Sequence, residues 1–121
     1  MDDHRLLRCE VAGSDAPTVT SIARSLVHHV CTLADVEVAT AETLEIATAE
    51  LLDEITVASP VDEIRVDPDF DGIDLVVRTR DAVRTESPFR PGPVVEAAFD
   101  SIEVRCCGEI HVRHRFESSA R

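Results

Sequence analysis

The spacing of apolar residues changes near Pro60, and this change limits the folds that the chain can adopt. Before Pro60, apolar residues recur every three or four positions, first over 19–33 and again over 44–58. Such spacing places apolar side chains on one face of a helix. It predicts a helix over 17–34 and a second helix that has Thr40 as its N-cap and ends by Pro60.

Strands are predicted at the start of the chain and after Pro60. Their apolar residues alternate with polar ones or form short clusters, and the predicted strands are 5–12, 64–67, 73–78, 102–104 and 110–112. The turn Asp69–Gly72 joins two of them into a hairpin, and Gly108 supplies the last turn. A proline-rich loop over 79–93 and a short helix near 94–99 separate the two pairs.

The order β-α-α-β-β-loop-α-β-β predicts the α+β class. We expect a two-layer sandwich, with the helices on one face of a largely antiparallel mixed sheet. The length of 121 residues suits one domain over 1–121, with a frayed tail over 117–121.

Charge and hydropathy exclude several kinds of partner. The formal net charge is −12, which disfavours binding to a phosphate backbone, so we expect no direct contact with nucleic acid. No apolar run reaches the ~20 residues of a membrane span, so we expect no membrane contact either. The acidic start Met1-Asp2-Asp3-His4 lacks the features of a secretory signal, and a cytoplasmic location is expected.

The chain offers few metal ligands in suitable patterns. It contains no asparagine, so no mechanism that requires this carboxamide ligand is open to it. Cys106 and Cys107 do not form a CxxC pair, and His111 and His114 would point to opposite faces of a strand. We therefore predict no metal site.

Several segments together resemble one family. They are Ser21-Ile22-Ala23-Arg24 in the first helix, Leu44–Ile55 with Glu50 in the second, and Val94–Val104 before Gly108. Arg24 and Glu50 are 26 residues apart. In this order and spacing the chain resembles the anti-sigma serine kinases, a branch of the histidine-kinase-like ATPases with the Bergerat fold.

The resemblance implies a degenerate nucleotide site. Glu50 matches the family's general base, while Glu54 replaces the asparagine that binds magnesium. Asp81 matches the aspartate that receives adenine, but Ala82 and Val83 follow it instead of the motif's glycines. Pro91-Gly92-Pro93 replaces the glycine-rich lid, and prolines lack the N–H groups that would bind phosphate. We therefore expect a pseudokinase without a cofactor.

The resemblance also implies protein partners. Arg24 matches the arginine that contacts a sigma factor and a competing STAS-domain anti-anti-sigma protein, and a homodimer is implied. His28 lies one turn on and is expected at the helix surface or in a dimer contact. Alternatively, Arg24 is an exposed helix cation paired with a neighbouring carboxylate.

Two other functions stay open. The chain could be a working kinase of an anti-anti-sigma protein, with ATP and magnesium bound at Glu50 and Glu54, because carboxylates also bind magnesium. Or it could be a structural dimer domain.

Overall fold

The computed structural model of the chain describes residues 7–81, 92–105 and 108–116. Its elements follow the order β1 (Leu7–Glu10), α1 (Ala16–Leu33), α2 (Val38–Ala58), β2 (Val61–Pro68), β3 (Gly72–Thr79), α3 (Pro93–Ala98), β4 (Ser101–Arg105) and β5 (Glu109–Arg115). This is an α+β architecture in the predicted order. The predicted tail over 117–121 lies outside the described residues.

The five strands form one sheet in the order β1-β2-β3-β5-β4. All four neighbouring pairs are antiparallel, so the prediction of a mixed sheet is wrong for these strands. The reason is that β5 lies between β3 and β4. Those two strands run in the same direction but do not touch, and each pairs with β5 instead.

Local chemistry explains where the helices begin and end. The Asp15 carboxylate accepts a hydrogen bond from the Thr18 amide at 3.0 Å and caps α1, and Pro17 lies in the first turn. The second helix begins at Val38, so the prediction of Thr40 as its N-cap is wrong. Asp35 has a φ of 60°, and this left-handed residue turns the chain before Thr40 is reached.

Helices and strands share one core. Buried residues of all three helices join the alternate residues of the strands in a single cluster, as in a two-layer sandwich. Its largest fully buried side chains include Leu44, Leu51, Leu52, Ile55, Ile64, Leu75 and Ile110. Within the described ranges, no helix is both long and apolar enough to cross a membrane.

Candidate functional site

An open groove with a volume of about 710 Å³ lies between α1 and α2. Arg24 and His28, both predicted as partner-binding residues, line it together. The opposite wall carries Glu45 and Asp53 of α2. The structure therefore brings the two predicted partner-binding residues to one surface.

Two polar contacts cross this groove. The Thr20 hydroxyl donates to Asp53 at 3.0 Å, and His28 Nδ1 lies 2.8 Å from Glu45 Oε2. The contacts are eight residues apart on each helix. They follow opposite orders along the two helices because α1 and α2 run antiparallel. Arg24 lies midway between Thr20 and His28.

Arg24 is exposed, and it forms no ion pair or side-chain hydrogen bond with the residues that the structure describes. The two acids that line the opposite wall have other partners, since Asp53 accepts from Thr20 and Glu45 pairs with His28. The alternative of a helix cation paired with a neighbouring carboxylate is therefore not seen in the described part of the chain. The guanidinium can donate hydrogen bonds to a carboxylate of another molecule.

Glu50 lies on another side of α2. It is exposed, and neither it nor Glu54 is among the described residues that line the groove. A Cβ atom added to Gly92 would lie 3.6 Å from Glu50 Oε1, so this carboxylate faces the start of α3. The structure does not bring Glu50 and Arg24 into one site.

Asp81 follows β3 directly and has an exposed side chain. Its backbone is held by two residues that are buried. The Asp81 amide donates to the Ser59 hydroxyl at 3.1 Å, and the Asp81 carbonyl accepts from the Thr79 hydroxyl at 2.6 Å. These contacts fix the end of β3. They involve only the backbone of Asp81 and do not engage its carboxylate.

Two features of the residues implied for nucleotide binding disfavour a triphosphate. Glu50 and Glu54 are one helical turn apart, and their carboxylates repel a triphosphate unless a cation lies between them. Gly92 is the N-cap of α3 and Pro93 is its first residue, a position without an N–H donor. Pro91, Ala82 and Val83 lie outside the described residues.

The histidines of β5 lie on opposite faces, as expected. His111 pairs with Glu109 at 3.0 Å, and this hydrogen bond lowers the pKa of the Glu109 carboxyl. His114 Nδ1 lies 2.8 Å from the Ala98 carbonyl. Over residues 7–81, 92–105 and 108–116 no three acidic, histidine or cysteine side chains form a metal-binding group, while Cys106 and Cys107 lie outside these ranges.

The sequence interpretation missed Thr20, Glu45 and Asp53. A helical wheel places Thr20 near Arg24, but it does not reveal which residue of α2 lies opposite. That pairing depends on how the two helices pack. The signal available beforehand was only that acids recur at positions 45 and 53, two turns apart.

Compared with known proteins, the chain matches no protein-family model, and no curated protein has significant similarity to it. The resemblance to anti-sigma serine kinases therefore stays a prediction.

Proposed function

We propose that this chain is an anti-sigma-factor-like regulatory protein with a histidine-kinase-like ATPase fold. It acts as a homodimer by binding protein partners in a partner-switching circuit, and not by transferring phosphate. Its partners are a sigma factor, a STAS-domain anti-anti-sigma protein, or both. Arg24 is the central contact, and it pairs with a carboxylate of the partner.

The observation that carries this proposal is the state of Arg24. It is an exposed cation in a groove, and the facing acids Asp53 and Glu45 are engaged with other side chains. An arginine presents five donors in a planar fork, which suits two-point binding of a carboxylate. Because Arg24 forms no ion pair with a described residue, binding a partner's carboxylate would not require an existing ion pair to break.

Two further observations support the proposal. The order of helices and strands is the one that the resemblance implies. The added charge of Glu54 and the missing N–H donor of Pro93 favour protein binding over catalysis. No observation in the described residues favours the kinase alternative over this proposal.

The test uses the sigma factors and STAS-domain proteins of the source organism, each titrated calorimetrically with the purified chain. We expect one of them to bind, and Arg24→Glu to weaken the complex at least about thirtyfold, as charge reversal at an interface hot spot would. Arg105→Glu is the matched control, because Arg105 is another exposed cation and pairs with Glu103 on a strand. Equal binding by both variants, or no binding partner in this set, would contradict the proposal.

A separate titration with magnesium and ATP tests the loss of nucleotide binding. We expect no heat of binding up to about 100 μM, the range in which a working kinase site would saturate. Micromolar affinity, together with phosphate transfer lost in Glu50→Ala, would favour the kinase instead.

A further inference from the structure

The helix layer carries most of its charge uncompensated. Helix α2 has five carboxylates and no cation, and Arg24 is the one arginine of α1. The carboxylates of α2 are Glu42, Glu45, Glu50, Asp53 and Glu54. Helices α1 and α2 together therefore present a negative surface, with Arg24 as their one arginine, in the groove.

The outer face of the sheet is different, because several of its charges pair with one another. Glu63 of β2 lies 3.2 Å from Arg8 and 3.7 Å from Arg78, and both ion pairs join neighbouring strands. Arg113 of β5 binds Asp74 of β3 at 3.1 Å. In the part of the chain that the structure describes, no strand has an exposed large hydrophobic residue. The described strands therefore offer a partner little apolar contact area.

Among the described residues, three of the exposed large aliphatic side chains lie instead on α2. Val38 is 71% exposed, Ile46 is 52% exposed and Val57 is 88% exposed. At about 100° per residue, the three lie within an arc of roughly 100°, with Ile46 and Val57 almost in line. The opposite side of α2 is buried through Leu44, Leu51, Leu52 and Ile55. Covering these exposed aliphatic side chains would remove apolar area from water, which is favourable.

Carboxylates border these aliphatic residues one helical turn away. Glu42 and Glu50 lie four residues before and after Ile46. We name the set of Val38, Ile46 and Val57 with these two acids the α2 outer face. It combines apolar contact area with negative charge on both sides.

We propose that the α2 outer face binds a basic amphipathic helix of a partner protein. Such a helix would place its apolar residues on Ile46 and Val57 and its Lys or Arg residues beside Glu42 and Glu50, the usual mode of helix recognition by an apolar surface. The distance from Val38 to Val57 is roughly 28 Å at 1.5 Å per residue, which about 18 residues of helix would cover.

Charge decides against a second copy as the occupant. Two α2 outer faces in contact would bring carboxylates of the same sign together without a cation, and like charges facing each other disfavour such a complex. The surface also differs in sign from the Arg24 contact. The inference therefore goes beyond the proposed function and does not depend on it.

The test is fluorescence anisotropy at about 0.15 M salt with labelled model peptides of roughly 18 residues. The first peptide has Leu and Lys at amphipathic helical spacing, the second has the same composition in scrambled order, and the third has Glu for Lys. We expect only the first to bind well. Combined Ile46→Ser and Val57→Ser should weaken its binding about tenfold or more, since apolar contacts of this kind dominate an interface.

Phe70→Ser is the matched control, because Phe70 is 97% exposed between two aspartates but lies outside α2. Circular dichroism would verify that each variant is folded, as expected for exposed positions. The inference is overturned if the first peptide does not bind, if the scrambled peptide binds equally well, if the double variant retains full affinity, or if Phe70→Ser weakens binding as much as the double variant.

Discussion

Gly72 begins β3 at a point where the backbone of β5 lies unusually close. A Cβ atom added at Gly72 would be 2.1 Å from the His114 carbonyl oxygen and 3.0 Å from Arg115 Cα. Its φ is outside the left-handed region, unlike that of Gly13 and Gly108. The requirement for glycine here is therefore one of space, and Gly72→Ala tests it.

The expected cost follows from these distances. Ordinary non-bonded contacts are about 3.5 Å long, so the two strands would have to separate by more than an ångström. Overpacking of this kind typically costs about 1–3 kcal/mol. The shift would also strain the hydrogen bonds from Asp69 N to Gly72 O at 2.8 Å and from Phe116 N to Asp71 O at 2.7 Å.

Each of those hydrogen bonds contributes about 1 kcal/mol. The lower entropy of the unfolded alanine variant returns about 0.4–1 kcal/mol. We therefore expect Gly72→Ala to lower the free energy of unfolding by roughly 3 kcal/mol and the Tm by about 10 °C. The assay is urea unfolding followed by far-UV circular dichroism, with linear extrapolation to water.

Gly13→Ala is the matched control. Its φ is 86°, and no atom lies within 4 Å of an added Cβ. This variant has only the left-handed conformation to disfavour it, at about 1–2 kcal/mol. The reasoning is refuted if Gly72→Ala unfolds within 1 kcal/mol of the parent, a margin set by the extrapolation, or if Gly13→Ala is the more destabilised of the two.

Three further predictions concern titratable groups. Hydrogen bonds from Arg113, at 3.0 and 3.1 Å, hold the pKa of the Asp69 carboxyl below its ordinary 3.8. The stability that they contribute is therefore complete above pH 3.8, and it is lost as the pH falls through the pKa of Asp69 in the folded protein. Asp69→Asn should therefore flatten the acid limb of stability measured by urea unfolding; an unchanged limb would contradict this. Asp15→Ala removes the cap on α1 and should lower the Tm, whereas Asp15→Asn keeps an acceptor for Thr18 and should lower it less; equal losses would contradict the capping role. Burial raises the pKa of the Cys31 thiol from 9.0 to about 11. The stability contributed by the buried neutral thiol is therefore complete below pH 9.0 and is lost as the pH rises towards 11. With the other three cysteines replaced by serine, Cys31 should react with a disulfide reagent at pH 8 far more slowly in the native protein than in urea, and equal rates would contradict its burial.

The sequence predicted most elements because their signals are local. The three- and four-residue spacing located α1 and α2, and Pro60 marked the end of α2. Asp69–Gly72 was predicted as a turn, and the structure adds the reason: Asp69 accepts hydrogen bonds from the Asp71 and Gly72 amides at 2.8 and 2.9 Å. Each of these signals acts over only a few residues, and it follows from local backbone geometry. It can therefore be recognised without the rest of the fold.

The errors arose where residue type and sequence order do not determine the path of the backbone. The sheet was predicted as mixed because sequence order does not reveal that β5 lies between β3 and β4. Thr40 was chosen as an N-cap from its residue type, but capping requires a particular backbone conformation at the helix start. The four-residue connection between α1 and α2, with its left-handed Asp35, places that start at Val38.

The candidate site, too, depends partly on the sequence alone and partly on how the helices pack. The sequence by itself determined the composition available for chemistry, including the absence of asparagine, and it singled out Arg24, His28, Glu50, Glu54 and Asp81. Only the tertiary structure decided that Arg24 and His28 share a groove while Glu50 faces α3. Helix periodicity orders side chains along one element, but the pairing of Thr20 with Asp53 and of His28 with Glu45 arises from the antiparallel packing of two helices. That packing leaves Arg24 without an ion pair among the described residues. No pattern within either helix predicts this arrangement.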